Sequence, residues 1–245
     1  MNVTIFTSNN LRHNYLINKF AKVSNKVFVF QETRSIFPGM YESHYKKYNS
    51  IGKYFKYVDE AQNKIFSKKN KILSMKKINL AALNYGDLSF IQFNNYKSFF
   101  KSDYYLVFGS SYIKGDLLRF LKKKKAINIH MGISPYYKGT DCNFWALMDG
   151  NKKFVGATIH YLSEKLDGGP ILSYAYASKY SDPFLFTMSS TKNAINKLYQ
   201  LILKKNIHKK KINNQSEKKL IRYSTKKEFT DSKVKEFFHK FKIKW

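Results

Sequence analysis

Apolar and polar positions along this chain follow two periods, and the switches between them mark out the elements. Residues 3–7 (Val-Thr-Ile-Phe-Thr) predict a strand. Residues 11–23, with apolar positions at Leu11, Tyr15, Phe20 and Val23, predict a helix, and 26–31 predict a second short strand. Ser8-Asn9-Asn10 between them offer N-cap chemistry. Strand, helix and strand at this spacing make a βαβ unit, the start of a parallel sheet. Further strands are predicted at 88–93, 104–110, 126–130, 154–162 and 171–177, with helices at 95–102, 117–124 and 143–148. Asp182 and Pro183 sit as N-cap and N1 of a long helix running to about residue 203. Residues 221–229 read as extended, and Thr230-Asp231 open a last helix towards Trp245. The stretch from 32 to about 87 is less regular, with Pro38-Gly39, many Tyr and Lys, and mixed helical spacing from Tyr41 to Tyr57. It reads as a mostly helical insertion, chiefly a covering layer. The expected fold is α/β: a Rossmann-like, mostly parallel sheet flanked by helices, with a catalytic domain at 1–203 and a small C-terminal extension at 204–245.

Composition narrows the picture. A chain of 245 residues that is 43% hydrophobic and 17% aromatic can bury a sizeable core. The net charge of +29 suggests a polyanion partner at first. Yet of 45 basic residues only Arg12, Arg34, Arg119 and Arg222 are arginines, whereas nucleic-acid readers lean on the bidentate guanidinium. The lysines fall in short scattered clusters, so a specific nucleic-acid partner is not expected. A basic polyanion-binding protein on the same scaffold is kept as the alternative of a different class. Cys142 is the single cysteine, which rules out an internal disulfide and points to a reducing, cytoplasmic compartment. No signal-peptide pattern opens the chain, and no apolar run approaches the ~20 residues a bilayer requires. The first βα turn lacks Gly-x-Gly-x-x-Gly, so no nicotinamide or flavin is expected. The histidines at 13, 44, 130, 160, 208 and 239 show no metal-ligand spacing, so no metal is expected.

The candidate chemistry lies between Ala126 and Leu172. Asn128 and His130 are two apart on a predicted strand and therefore share a face. Downstream, Asp167 sits in a glycine-rich turn. An amide that can hold an oxyanion, an imidazole that can take a proton and a carboxylate that can orient it suit acyl transfer to an amine. Four blocks stand in order: Asn128-Ile129-His130, Pro135-Tyr136-Tyr137-Lys138-Gly139, Gly156-Ala157-Thr158-Ile159-His160 and Leu166-Asp167-Gly168-Gly169-Pro170-Ile171. Together they resemble the catalytic core of the folate-dependent formyltransferases. The resemblance covers about residues 101–176.

The resemblance implies catalytic roles for Asn128, His130 and Asp167, and 10-formyltetrahydrofolate as co-substrate. It implies that Phe108, Gly109, Ser110 and Ile113 border the pterin pocket, with Gly168 beside them, and that Tyr137, Lys138, Phe144 and Trp145 lie on the acceptor side. His160 matches a family position but reads as structural, and Cys142 lacks the cationic neighbours of a nucleophilic thiol. Among the family's branches, the purine-pathway one opens on a glycine-rich phosphate loop, where this chain has Thr7-Ser8-Asn9-Asn10. The initiator-tRNA one carries a further C-terminal domain of roughly a hundred residues. The wording of residues 132–145 is most similar to the sugar N-formyltransferases. The expected acceptor is therefore a nucleotide-linked amino sugar of surface-polysaccharide (O-antigen) synthesis, with glycinamide ribotide or aminoacyl-tRNA as alternatives. Related enzymes are often homodimers, though no interface signature stands out in this chain.

Overall fold

Seven segments pair into one mixed sheet whose strand order fixes where a ligand can sit. The computed structural model describes residues 1–33, 49–71, 73, 76–205, 207 and 214–244. β1 (Asn2–Ser8), β2 (Lys26–Thr33), β3 (Ile78–Asn84), β4 (Tyr104–Phe108) and β5 (Ile127–His130) run parallel. With β7 (Gly156–Tyr161) and β8 (Ile171–Tyr176) the order is β3-β2-β1-β4-β5-β7-β8, and β7 is antiparallel to both its neighbours. The chain winds outward from β1 to β3 and then crosses back to β4. The switch point between β1 and β4 opens a crevice at the carboxyl ends of the central strands. A second, two-stranded sheet joins β6 (Tyr137–Gly139) to β9 (Arg222–Ser224).

Helices cover both faces: α1 (Leu11–Ala21), α2 (Asn49–Phe66), α3 (Gly115–Lys123), α4 (Cys142–Met148), α5 (Pro183–Leu203) and α6 (Asp231–Lys240). Because side chains alternate along a strand, Val3 and Ile5 of β1 join the core beneath α1, α2 and α5, while Phe6 faces the layer of α3. There Phe6 stacks on Phe30 with ring centroids 5.2 Å apart, and Leu117, Leu121 and Leu88 close the cluster. Covered on both sides, the central strands read as near-continuous apolar runs. As expected, Asp182 caps α5, its side chain accepting from the Leu185 N–H at 2.7 Å.

The structure revises the stretch after β2. Residues 78–84 form an edge strand, not part of a helical layer, and α2 is the crossover helix that delivers the chain to it. Residues 88–93, expected as a strand, instead hold a 3₁₀ turn (Asp87–Phe90), and a second 3₁₀ segment (Phe93–Phe100) replaces the helix at 95–102. The physical reason is position: β3 is an edge with most of its side chains exposed, so it carries little apolar signal, while Leu88 and Phe93 are apolar because they plug the α3 layer. The Tyr41 to Tyr48 part of the expected helical spacing, and much of the charged connector after Lys204, lie outside the described residues. Among the described residues no helix is long and apolar enough to cross a membrane.

The C-terminal segment is built into this frame. Asp231, at the start of α6, accepts the backbone N–H groups of Ser50 (2.9 Å) and Ile51 (3.1 Å), which are orphan donors of the first turn of α2. Phe237 of α6 stacks on Phe144 at 5.0 Å and meets Tyr54, Phe184 and Phe241 within 5.8 Å. Where β6 meets β9 the backbones come so close that a Cβ on Gly139 (φ +94°) would lie 2.0 Å from the Ser224 carbonyl oxygen. Removing the Phe237 ring leaves a cavity at the junction of four aromatic side chains. Phe237→Ala is expected to lower unfolding free energy by about 3–5 kcal/mol in urea titration. A loss below 1 kcal/mol, on the order of a surface substitution, would show α6 to be a loosely attached appendage.

Candidate active site

The carboxyl end of β5 carries Asn128 and His130 on one face, and each is held by a different neighbour. Across the sheet Asn128 pairs with His160 of β7, and its Nδ2 donates to His160 Nε2 at 3.0 Å. His160 Nε2 is therefore an acceptor, and its Nδ1–H donates to the Tyr161 carbonyl at 2.8 Å. Burial, the largest influence, lowers the His160 pKa to about 4, so the ring stays neutral and in one tautomer. The histidine that reads as structural in sequence thus orients the amide, leaving the second Nδ2 proton of Asn128 for the cleft.

His130 Nδ1 faces Asp167 Oδ1 at 3.1 Å, and both side chains are under a tenth exposed. His130 Nε2 lies 3.1 Å from the Tyr137 carbonyl oxygen, an acceptor only, so both ring nitrogens donate. Burial opposes a charged imidazole, but the Asp167 carboxylate, with Cys142 alongside, outweighs it and raises the His130 pKa well above its ordinary value. For Asp167 burial pushes upward, while His130, His160 and the Gly139 N–H together pull its pKa below the usual carboxylate range. The Gly139 N–H donates to Asp167 Oδ2 at 3.2 Å. The pair is an imidazolium–carboxylate ion pair.

The loop after β5 is clamped in place. Thr158 Oγ1 donates to the Gly132 carbonyl at 2.6 Å and accepts from the Ser134 N–H at 2.9 Å. Asp167 takes a left-handed backbone (φ +50°), which Asp tolerates, and Gln215 donates to its carbonyl at 2.8 Å. These elements wall a cleft of about 440 Å³, within the range of small-molecule sites.

Asn128, His130 and Asp167 all line this cleft, as do Phe108, Gly109, Ser110 and Ile113 from the end of β4. Gly168 does not; its N–H turns back to the Lys165 carbonyl. The four acceptor-side residues are placed elsewhere too. Tyr137, Phe144 and Trp145 are each at most 3% exposed and belong to the core, and Lys138 is buried and off the lining. Tyr137 Oη donates to Asp149 Oδ2, Phe144 stacks on Phe237, and Trp145 lies under the Arg222 guanidinium at 4.5 Å. In this structure they pack behind the cleft and do not line it. The residues that do reach the cleft from outside the motifs include Tyr85, Tyr112, Asp141, Lys165 and Lys226.

Residues 100–178 match the family described as formyl transferase. A dTDP-4-amino-4,6-dideoxyglucose formyltransferase of Mycobacterium bovis is 39% identical over 49 residues, which are 20% of this chain and 20% of that protein. The match thus spans a fifth of that relative's length. Among solved structures, a 4-N formyltransferase from Francisella tularensis superposes with TM-score 0.57 at 16% identity, over 93% of this chain and 77% of that one. The formyltransferase PseJ from Anoxybacillus kamchatkensis, in complex with UDP-4,6-dideoxy-4-formamido-L-AltNAc and tetrahydrofolate, gives TM-score 0.51 at 16% identity over 96% and 97%. Phosphoribosylglycinamide and methionyl-tRNA formyltransferases also match. At these identities the solved structures establish a shared fold: the α/β formyltransferase fold.

The ion pair makes stability depend on pH in a definite sense. The raised His130 pKa contributes stability that is complete below the free value of ~6.5 and is lost as pH rises through the folded one. The lowered Asp167 pKa contributes stability that is complete above ~3.9 and is lost as pH falls. The stability gap between wild type and His130→Gln, read from urea titrations, is therefore expected to be widest between about pH 4 and 6.5 and to narrow towards pH 9. A gap that widens above pH 6.5 would contradict the assignment.

Proposed function

We propose that this protein transfers the formyl group of 10-formyltetrahydrofolate to the amino group of a nucleotide-linked sugar. The observation that carries this is the convergence of Asn128, His130 and Asp167 on one cleft at the sheet's switch point, with the imidazole and carboxylate in direct contact. A cleft wall of Val107, Ile113, Leu118, Ile129 and Leu162 beside these polar groups suits a flat, mostly apolar ring system such as a pterin.

In this reading Asn128 donates its free amide proton to the oxyanion that develops as the amine adds to the formyl carbon. His160 holds the amide so that no reorientation is needed at that moment. His130, with both nitrogens donating, acts as a fixed cation that steadies the anion instead of as a base. The His130–Asp167 pair shares a proton that can pass to the departing folate nitrogen. The free, buried Cys142 fits a reducing, cytoplasmic setting, and a surface-polysaccharide pathway is the natural consumer of a formylated nucleotide sugar.

Binding and turnover measurements test the reading. A thermal-shift panel of nucleotides and nucleotide sugars, run with a folate analogue present, is expected to show stabilisation by a nucleotide through mass action. A transfer assay is expected to detect formylation of a nucleotide amino sugar. Transfer to glycinamide ribotide and to no nucleotide amino sugar would overturn the choice of acceptor. Asn128→Ala is expected to cost about 10²–10³ in kcat with the melting temperature nearly unchanged. His160→Phe, which leaves the amide unoriented, is expected to lower kcat in the same direction by a smaller factor. Near-normal turnover of Asn128→Ala would refute its oxyanion role.

A further inference from the structure

The proposed reaction leaves one proton without an acceptor. An amine enters a cleft near neutral pH largely as an ammonium ion and must lose a proton before its lone pair can attack. His130 cannot take it, because its two nitrogens already donate to Asp167 and to the Tyr137 carbonyl. His160 Nε2 is occupied by the Asn128 amide. Asp167 is matched by His130 at one oxygen and by the Gly139 N–H at the other, and these partners hold its pKa below the usual carboxylate range, which makes it a poor base. Among the described residues, the other carboxylate lining the cleft is Asp141.

Its position follows from what lies on either side of it in the chain. Gly139, two residues earlier, donates to Asp167, and Cys142, the next residue, interacts with the His130 ring. Consecutive Cα atoms are ~3.8 Å apart, so Asp141 is set within a short step of both members of the ion pair. It occupies the N-cap position of α4, where an Asp side chain ordinarily accepts an N–H of the first turn. Here it makes no such bond, so the helix does not use the carboxylate. Its backbone is left-handed (φ +54°), and the residue is exposed to the cleft. The groups that face it are Lys226 from the turn after β9, the Tyr54 hydroxyl from α2 and the neighbouring Thr140. The carboxylate opens on the cleft yet is ringed by protein, and this desolvation raises its pKa against the opposing pull of Thr140 and Lys226. A carboxylate poised above its ordinary range is a better base than an unperturbed one.

We propose that Asp141 binds the ammonium group of the acceptor and removes its first proton; the assignment rests on the formyl-transfer reading above. The ammonium and the Asp141 carboxylate become a neutral amine and a carboxylic acid. The amine lone pair then forms the new C–N bond while the bond from the formyl carbon to the folate nitrogen breaks. The His130–Asp167 pair gives a proton to the departing nitrogen and, left one proton short, takes up the second proton of the attacking nitrogen, and Asp141 releases its own proton to solvent. One ammonium ion and one formyl donor thus yield a formamide, the deformylated folate and one proton.

The test is Asp141→Asn, which keeps the side-chain shape and suits the left-handed backbone, since Asn shares that tolerance. At pH 7 its kcat/KM for the amino sugar is expected to fall roughly 10²-fold, with binding of a folate analogue unchanged by calorimetry. The deficit is expected to shrink as pH rises, because the acceptor then arrives already neutral. Lys226→Met is expected to shift the acidic limb of the kcat/KM profile to higher pH, because the cation that favours the ionised carboxylate is gone. An Asp141→Asn enzyme with wild-type kcat/KM, or a deficit equal at every pH, overturns the assignment to Asp141 alone. A wild-type protein that formylates no amine overturns both this role and the function it rests on.

Discussion

Asp167 is the point at which segments distant in sequence are tied together. One carboxylate oxygen meets the imidazole presented by β5, the other accepts the N–H of Gly139 on β6, and the backbone carbonyl of the same residue accepts from Gln215. A charge buried to this degree is costly unless it is matched, and losing one partner of such a pair strands the other. The site and the architecture around it are therefore one problem. The turn that positions the carboxylate, the strand that positions the imidazole and the loop between them cannot shift independently.

Around that tie the sheet supplies direction. The switch point places the ends of β4 and β5 beside an open crevice, and the two-residue period of β5 turns Asn128 and His130 towards it together. The antiparallel neighbour β7 contributes what a parallel one could not so simply: a directly opposed residue, His160, whose neutral ring sets the amide. Two histidines on neighbouring strands thus have opposite electrostatic fates. One is kept charged by a carboxylate and the other kept neutral by burial.

Much of this was legible in the sequence, and the limits have physical causes. Asn128, His130 and Asp167 could be read because the chemistry demands those residue types at spacings a strand and a turn can satisfy. The parallel strands at the centre were legible because burial on both faces leaves an unbroken apolar run. The edge strand β3 was not, since an exposed edge has little reason to be apolar, and the nearby apolar residues serve the α3 layer instead. Phe144 and Trp145 are expected on the acceptor side from the resemblance alone; a short helix has two faces, and theirs is turned to the α6 aromatics and to Arg222, which no local pattern reveals. Tyr85 and Lys226 reach the cleft from segments far away in sequence, and no local pattern announces such a meeting.

The pairing of β6 with β9 has a bearing on how the molecule comes into being. Ser224 Oγ reaches the Lys138 carbonyl across 86 positions of sequence, so β6 is braced by a strand that is synthesised much later than itself. During synthesis the central strands, with Asn128 and His130 already in place, emerge well before the strand that braces β6. A nascent chain can therefore own a nearly complete sheet while the floor beneath its carboxylate is still unfinished. The support beneath the carboxylate is complete only once β9 has joined β6.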